Sequence, residues 1–282
     1  MEVVTTRDAF RNSMSAARQK GSWLGLVPTM GAFHPGHMSL VAAAASQCDV
    51  VAVSIFVNPL QFSSAADLAR YPANLERDLA MAQTAGVGIV FAPSVSEMYP
   101  RGEPETRVQP GPLADRLEGA SRPGHFAGVA TVVTKLLSVS GRCRAFFGEK
   151  DFQQLVIVRR LVADLDLDTE VVACPTVREP DGLACSSRNR RLGPEDRRAA
   201  AVLFRALEAG RDAVVRDGRQ AEDVEATMAR VVAAEPRARL DYGVVVDPVT
   251  FASPALLAGE LRLLIAARVG PVRLIDNLGV GA

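Results

Sequence analysis

Two nucleotide-binding signatures are missing from the 282 residues: there is no Walker A pattern (GxxxxGK[ST]) and no GxGxxG. Their absence argues against a P-loop kinase and against a dinucleotide dehydrogenase. Net charge is missing too. Lys plus Arg balances Asp plus Glu at 32 each, so nothing suggests a general nucleic-acid or membrane surface. No apolar run reaches membrane-spanning length, and internal repeats and low-complexity tracts are absent. In residues 1–20 the charges of Arg7, Asp8, Arg11, Arg18 and Lys20 leave no apolar core, so a secretory signal is not expected. The four cysteines, Cys48, Cys143, Cys174 and Cys185, make no CxxC pair and read as reduced thiols of a cytosolic protein. What is present is a globular composition, 48% hydrophobic and 23% charged, over a length that suits one large or two modest domains.

The stretch Leu24–Val41, LGLVPTMGAFHPGHMSLV, organises the rest. Its apolar run Leu24–Val27 reads as a buried strand. Pro28 cannot donate to a ladder, so the strand is expected to end there. Gly31 permits a tight turn, and Pro35 suits the first turn of a helix that continues through Met38, Leu40 and Val41 to about Gln47. His34 and His37, three apart at the helix entrance, fall on one side. Free N–H groups and the positive end of the helix dipole lie there, as a phosphate requires. A cap or packed surface group, and a metal pair, stand as alternatives. The metal reading is the weaker, because the chain has only one further histidine, His125, and no cysteine or carboxylate lies close in sequence. Phosphate contact is favoured because strand, glycine turn and paired imidazoles coincide.

Taken in order, Thr5–Lys20 carries Ala9, Phe10, Met14 and Ala17 at helical spacing. Val50–Val57 is apolar on both faces, as an interior parallel strand is, and completes a βαβ unit. Ligands in open α/β sheets sit beyond the carboxyl ends of strands. That places Asn58 and Gln61 near substrate, with a plain polar loop as the alternative. A helix near Leu75–Ala85, a strand at Gly88–Ala92 and a long Pro/Gly-rich excursion over 93–125 follow, the last read as a functional cover. Next come a buried helix at Gly128–Val139, a strand at Ala145–Gly148, a helix opening at Glu149–Gln154 and a strand at Thr169–Ala173. Lys150 is unfavourable against a helix N-terminus unless an anion is present. Ser186, Ser187 and Arg188, in a glycine-preceded loop, can wrap a phosphate chain. Beyond Pro194 two polar helices, near Pro194–Arg216 and Ala221–Ala234, precede strands at Leu240–Val246, Leu261–Ala267 and Val272–Ile275. The expected organisation is residues 1–176 as a Rossmann-like α/β domain and residues 177–282 as a smaller α+β lid.

The form His34-x-Gly36-His37 after an apolar strand resembles the nucleotidylyltransferase superfamily. The longer form, Pro28 through His37, is similar more narrowly to the pantothenate synthetase (pantoate–β-alanine ligase) family. Three further stretches carry the same resemblance in order: Asn58-Pro59-Leu60-Gln61-Phe62, Phe146 through Gln154, and Ser186-Ser187-Arg188-Asn189. Arg122 through Phe126 resembles the family as well. The resemblance implies a Rossmann-like fold and residue roles. His34, His37, Lys150, Ser186, Ser187 and Arg188 would be catalytic. Pro28, Thr29, Met30, His34, His37, Gly148, Lys150, Asp151, Val177, Cys185, Ser186, Ser187 and Arg188 would bind ATP. Met30, Gln61, His125 and Gln154 would bind pantoate, and Asp78 would help hold Mg2+. Two departures stand out: Arg77 replaces a second acid found in some relatives, and Cys185 replaces the methionine usual against adenine.

The activity implied is ATP-dependent condensation of pantoate with β-alanine through a pantoyl adenylate, releasing AMP and pyrophosphate. The family also implies a homodimer. An adenylyl transferase acting on a nucleotide monophosphate shares His-x-Gly-His but gives no reason for Gln61 and Gln154 together. A non-catalytic nucleotide-binding module would be expected to have lost Lys150 or Arg188, and both are present.

Overall fold

The computed structural model describes residues 1–62, 68–69, 71–215 and 220–281. The chain divides into two compact units. One comprises Met1–Glu149 and Gln153–Pro175, and the other Lys150–Phe152 and Thr176–Ala282.

The first unit is built on a parallel sheet of six strands: β1 (Glu2–Val4), β2 (Leu24–Thr29), β3 (Val50–Ile55), β4 (Ile89–Phe91), β5 (Cys143–Gly148) and β6 (Thr169–Cys174). Their order is β1-β4-β3-β2-β5-β6. From β2 the chain adds β3 and β4 on one side, then crosses to lay down β5 and β6 on the other. The order therefore reverses between β2 and β5, and ligands of open α/β sheets bind beyond the carboxyl ends of strands at such a point. Edge strand β1 is too short for a periodic signal and does not figure in the sequence expectation.

Helices α1 (Arg7–Gln19), α2 (Pro35–Gln47), α3 (Leu75–Thr84), α4 (His125–Ser140) and α5 (Phe152–Asp164) accompany the sheet. On α1 the buried residues are Phe10 and Met14, one turn apart, and Phe10 stacks on Phe91 of β4 with ring centroids 4.6 Å apart. Leu40, Val41 and Ala44 of α2 and Ala82 of α3 share a core with Val27, Val51, Val53, Val90 and Phe146 of the strands. That cover explains why the strands read as unbroken apolar runs.

Pro28 does not end β2. The strand continues to Thr29, with Pro28 opposite Ser54 of β3. Pairing of β2 with β5 is confined to Gly25 and Leu26. The N–H that proline lacks is thus not required by β5, and the two carboxyl ends are left unpaired with each other.

The second unit holds an antiparallel sheet, β7 (Ala238–Val246), β8 (Glu260–Val269) and β9 (Val272–Gly281), with α6 (Pro194–Ala199), α7 (Val202–Val214) and α8 (Ala221–Ala233). Leu203, Leu207, Val224, Met228, Leu263 and Ile265 share its core. The single helix expected over Pro194–Arg216 is two. At the junction Ala200 and Ala201 have ψ of −25° and −14°, and Leu203 N–H bonds to Ala200 O, three residues back. Such 3₁₀ geometry interrupts the α pattern without a breaking residue. Arg216 lies outside the described residues. β9 runs six residues past its expected end at Ile275, because the polar pair Asp276 and Asn277 is buried and paired rather than terminal. Among the described residues no helix is long and apolar enough to cross a membrane.

Candidate active site

At the carboxyl end of β2, Thr29 Oγ1 donates to Ser54 O at 2.7 Å and accepts from Gly31 N–H at 3.1 Å. The backbone then turns through two left-handed residues, Gly31 at φ 78° and Ala32 at φ 56°. Glycine tolerates this; alanine is held there by its surroundings. Ala32 N–H donates to Asp78 Oδ2 at 2.7 Å and Phe33 N–H to Asp78 Oδ1 at 2.9 Å.

His34 is the N-cap of α2, its Nδ1 accepting from Gly36 N–H at 3.2 Å. The cap that stood as an alternative to phosphate contact is therefore present. It decides the tautomer as well. A ring nitrogen that accepts carries no proton, so the neutral imidazole presents an N–H at Nε2. The rings of His34 and His37 lie 4.0 Å apart between centroids. One histidine can cap and still offer a donor at the helix entrance.

Gln61, only 9% exposed, sits in a short turn after β3. Asn58 Nδ2 donates to its Oε1 at 3.0 Å and also to Gly128 O at 3.1 Å. Asn58 Oδ1 in turn accepts from the Tyr99 hydroxyl at 2.8 Å. With its oxygen so engaged, Gln61 turns its Nε2 donor toward Met30, 3.0 Å from the sulfur. Burial pushes the Tyr99 hydroxyl far above the usual tyrosine range, so it stays a donor. Met30 and Gln61 are thereby brought together, one from each of two adjacent strand ends.

His125 opens α4. Its Nδ1 is 2.8 Å from Gln61 O, and Arg122 Nη1 is 3.1 Å from its Nε2. Arg122 Nη2 also donates to Gln61 O at 3.1 Å. Both ring nitrogens therefore face protein groups, with Nδ1 donating to the carbonyl and Nε2 accepting from the guanidinium. The ring braces the Gln61 backbone.

At the start of α5 the two adjacent glutamines diverge. Gln153 is buried and accepts from Glu118 N–H at 3.1 Å while donating to Leu113 O and Arg116 O, each at 2.8 Å. It ties down the Pro/Gly-rich excursion. Gln154 is half-buried and makes no such brace. Gly148 ends β5, where a side chain would meet no atom nearer than 4.0 Å.

In the second unit Lys150 Nζ lies 3.6 Å from Asp151 Oδ1, and Asn277 Nδ2 of β9 donates to Lys150 O at 2.8 Å. Arg262 Nε donates to Asn277 Oδ1 at 2.8 Å while its guanidinium stacks 4.0 Å over the Phe152 ring. Val177 and Cys185 pair through a 2.9 Å backbone bond that closes a hairpin, and Arg178 crosses from it to Asp276 at 2.6 Å. Burial pushes the Cys185 thiol above its ordinary value. Ser186 caps the turn that follows, accepting from Arg188 N–H at 3.2 Å, and Ser187 and Arg188 stand half-buried within it. Sequence reasoning missed Tyr99, Gln153, Arg178, Arg262, Asp276 and Asn277. Gln153 lies within the Phe146–Gln154 stretch, where nothing local separates its role from that of Gln154. The other five belong to no local pattern, and each of the six acts on residues tens of positions away.

The expected magnesium ligand fits poorly. Asp78 is 1% exposed and gives both carboxylate oxygens to backbone amides. Among the described residues no group of three His, Cys, Asp or Glu is placed to hold a metal.

A parallel sheet whose order reverses beside a histidine-capped helix entrance, with no P-loop, defines an α/β nucleotide-binding protein of the His-x-Gly-His class. Comparison with known proteins narrows it. The family model described as pantoate-beta-alanine ligase matches residues 2–279. A curated pantothenate synthetase of Moorella thermoacetica is 50% identical over 278 residues, 99% of this chain and 98% of that one. The crystal structure of pantothenate synthetase from Thermus thermophilus superposes with a TM-score of 0.93 at 47% identity, covering 100% of both chains. The pantoate-beta-alanine ligase of Francisella tularensis, complexed with beta-gamma ATP and beta-alanine, gives 0.81 at 35% identity over 99% of this chain and 97% of that one. The chain belongs to the pantoate–β-alanine ligase family, and its activity is the ATP-dependent ligation of pantoate to β-alanine.

Proposed function

We propose that the reaction runs through a pantoyl adenylate assembled beyond the carboxyl ends of β2 and β5. The observation that carries this reading is the β2–α2 turn, where a neutral His34 ring and the α2 N-terminus together offer donors to phosphate oxygens. The pantoate carboxylate oxygen attacks the α-phosphorus of ATP, and pyrophosphate leaves. The β-alanine amine then attacks the acyl carbon, and AMP leaves with the carboxylate oxygen that had bridged them. Neither step needs a covalent enzyme intermediate. Alignment of reactants and donors aimed at the developing phosphoryl charge supply the catalysis.

In this reading His34, His37, Lys150, Ser186, Ser187 and Arg188 stabilise phosphate charge. Pro28, Thr29, Met30, Gly148, Asp151, Val177 and Cys185 bind the remainder of ATP. Gln61 donates its fixed Nε2–H to pantoate, Gln154 is its counterpart on α5, and Met30 supplies an apolar wall. His125 serves pantoate by bracing Gln61. Magnesium belongs to the proposal as the counterion of the ATP phosphates, because the Asp78 carboxylate is buried and each of its oxygens already accepts from a backbone amide. A homodimer in the cytosol completes the reading, supported by the family resemblance and by four unpaired cysteines. Light scattering should give twice the 30.0 kDa chain mass; one chain's mass at micromolar concentration contradicts the dimer.

A pyrophosphate-release assay across hydroxy acids and amines tests the chemistry. Pyrophosphate should appear with pantoate and ATP in the presence of magnesium, and AMP only once β-alanine is added. Release with a nucleotide monophosphate in place of pantoate would overturn the assignment.

A further inference from the structure

We propose that Asp78 is a positioning residue: its carboxylate grips the Ala32 and Phe33 amides and so sets the turn that aims His34 and His37 at phosphate. The role rests on the adenylate-forming reading above and deepens it.

Successive N–H groups beside left-handed residues form a concavity that attracts anions. Here the Gly31–Ala32 turn makes such a concavity, and the anion within it is the protein's own carboxylate, at 2.7 Å and 2.9 Å. A nucleotide phosphate is thereby directed to the helix entrance instead, where the histidines stand. Ala32 lacks glycine's freedom at φ 56° and is buried, so its conformation depends on this grip. The grip itself is anchored. Asp78 lies in the first turns of α3, where Asn74 Oδ1 accepts from Arg77 N–H at 2.9 Å and Asn74 O from Asp78 N–H at 3.1 Å. Nor is there slack on the other side. A Cβ built on Gly31 would come within 2.7 Å of Asp78 Oδ2. Phe33 is fully buried, and the next residue along is the His34 cap. A shift in the carboxylate therefore passes to the histidines through two residues of packed backbone.

The test uses Asp78→Asn, whose amide group can satisfy one of the two N–H donors but opposes the other. Binding of AMP is measured in EDTA, where no metal ligand can contribute. The variant should bind AMP about tenfold more weakly than the wild type, the scale of a charged hydrogen bond lost, with the Mg2+ concentration for half-maximal turnover unchanged. Adding Ala32→Gly, which relaxes the turn, should recover part of the AMP affinity. Unaltered AMP binding in EDTA with a raised Mg2+ requirement would make Asp78 a metal ligand and overturn the proposal. Should the variant not fold, amide exchange on the wild type decides. The Ala32 and Phe33 amides should remain protected with MgATP bound, and loss of protection would mean that Asp78 leaves them for the metal. The pyrophosphate assay on the wild type separately judges the adenylate reading, so the two can fail independently.

Discussion

Gln61 shows how an amide acquires a direction. An isolated glutamine side chain can flip; this one cannot without breaking the Asn58 bond to its oxygen, and Asn58 is in turn held by Tyr99. Tyr99→Phe leaves Asn58 Oδ1 with only the long 3.3 Å bond from Leu60 N–H, at a cost of about 1–3 kcal/mol for the exposed deficit. The expected kinetic result is a several-fold rise in KM for pantoate with KM for ATP unchanged. Steady-state kinetics in each substrate would show it, and a parallel rise for ATP would refute it. Lys150 calls for a different test. Lys150→Ala should lower turnover with ATP by about 10²–10³, as loss of a donor to developing charge does. Because pantoyl adenylate bypasses that charge, the variant should recover much of its rate when given the adenylate and β-alanine. Equal slowness with both would place Lys150 in amine transfer or in folding.

Between α4 and the turn after β3 the backbones nearly touch. A Cβ on Gly128 would fall 2.2 Å from Leu60 O and 2.8 Å from Gln61 N, so only glycine lets Asn58 reach the Gly128 carbonyl. Gly128→Ala should therefore push the turn away from the helix, costing about 1–3 kcal/mol as overpacked cores do and weakening pantoate binding. Denaturant titration and pantoate KM should change together; a stable variant with normal pantoate KM would show that the contact is incidental. The hairpin before Ser186 predicts an acid response. The Arg197 guanidinium on Asp181 holds that carboxyl below its ordinary 3.8. A depressed folded value stabilises above the unfolded one and is lost as protons bind. This contribution should thus be constant near neutrality and fade below about pH 4. Asp181→Asn should flatten that part of the melting-temperature profile, while an unchanged acid limb would assign the loss to other carboxylates.

Over the full chain, what could be read beforehand followed from burial and from local motifs. The runs at Leu24, Val50, Ile89, Ala145 and Thr169 are strands covered by helices, so an apolar pattern sufficed to place them. The turn at Gly31 and the helix at Pro35 were legible because backbone freedom and a missing N–H are written in single residues. Other features were not local. Strand β1 is three residues long, and the break at Ala200 arises from ψ rather than from residue type. Lys150–Phe152 groups with the second unit through Asn277 and Arg262, more than a hundred positions on. Asp78 was legible as an acid in a family position, but not as the acceptor of two amides, which only the fold reveals.

Labelled oxygen follows the proposed bond changes atom by atom. Pantoate carrying ¹⁸O in its carboxylate, turned over with ATP and β-alanine, should pass one labelled oxygen to AMP and none to pyrophosphate, as read by mass spectrometry. AMP without label, or label in inorganic phosphate alongside ADP, would mean that activation occurs by another route, and the adenylate account would be wrong.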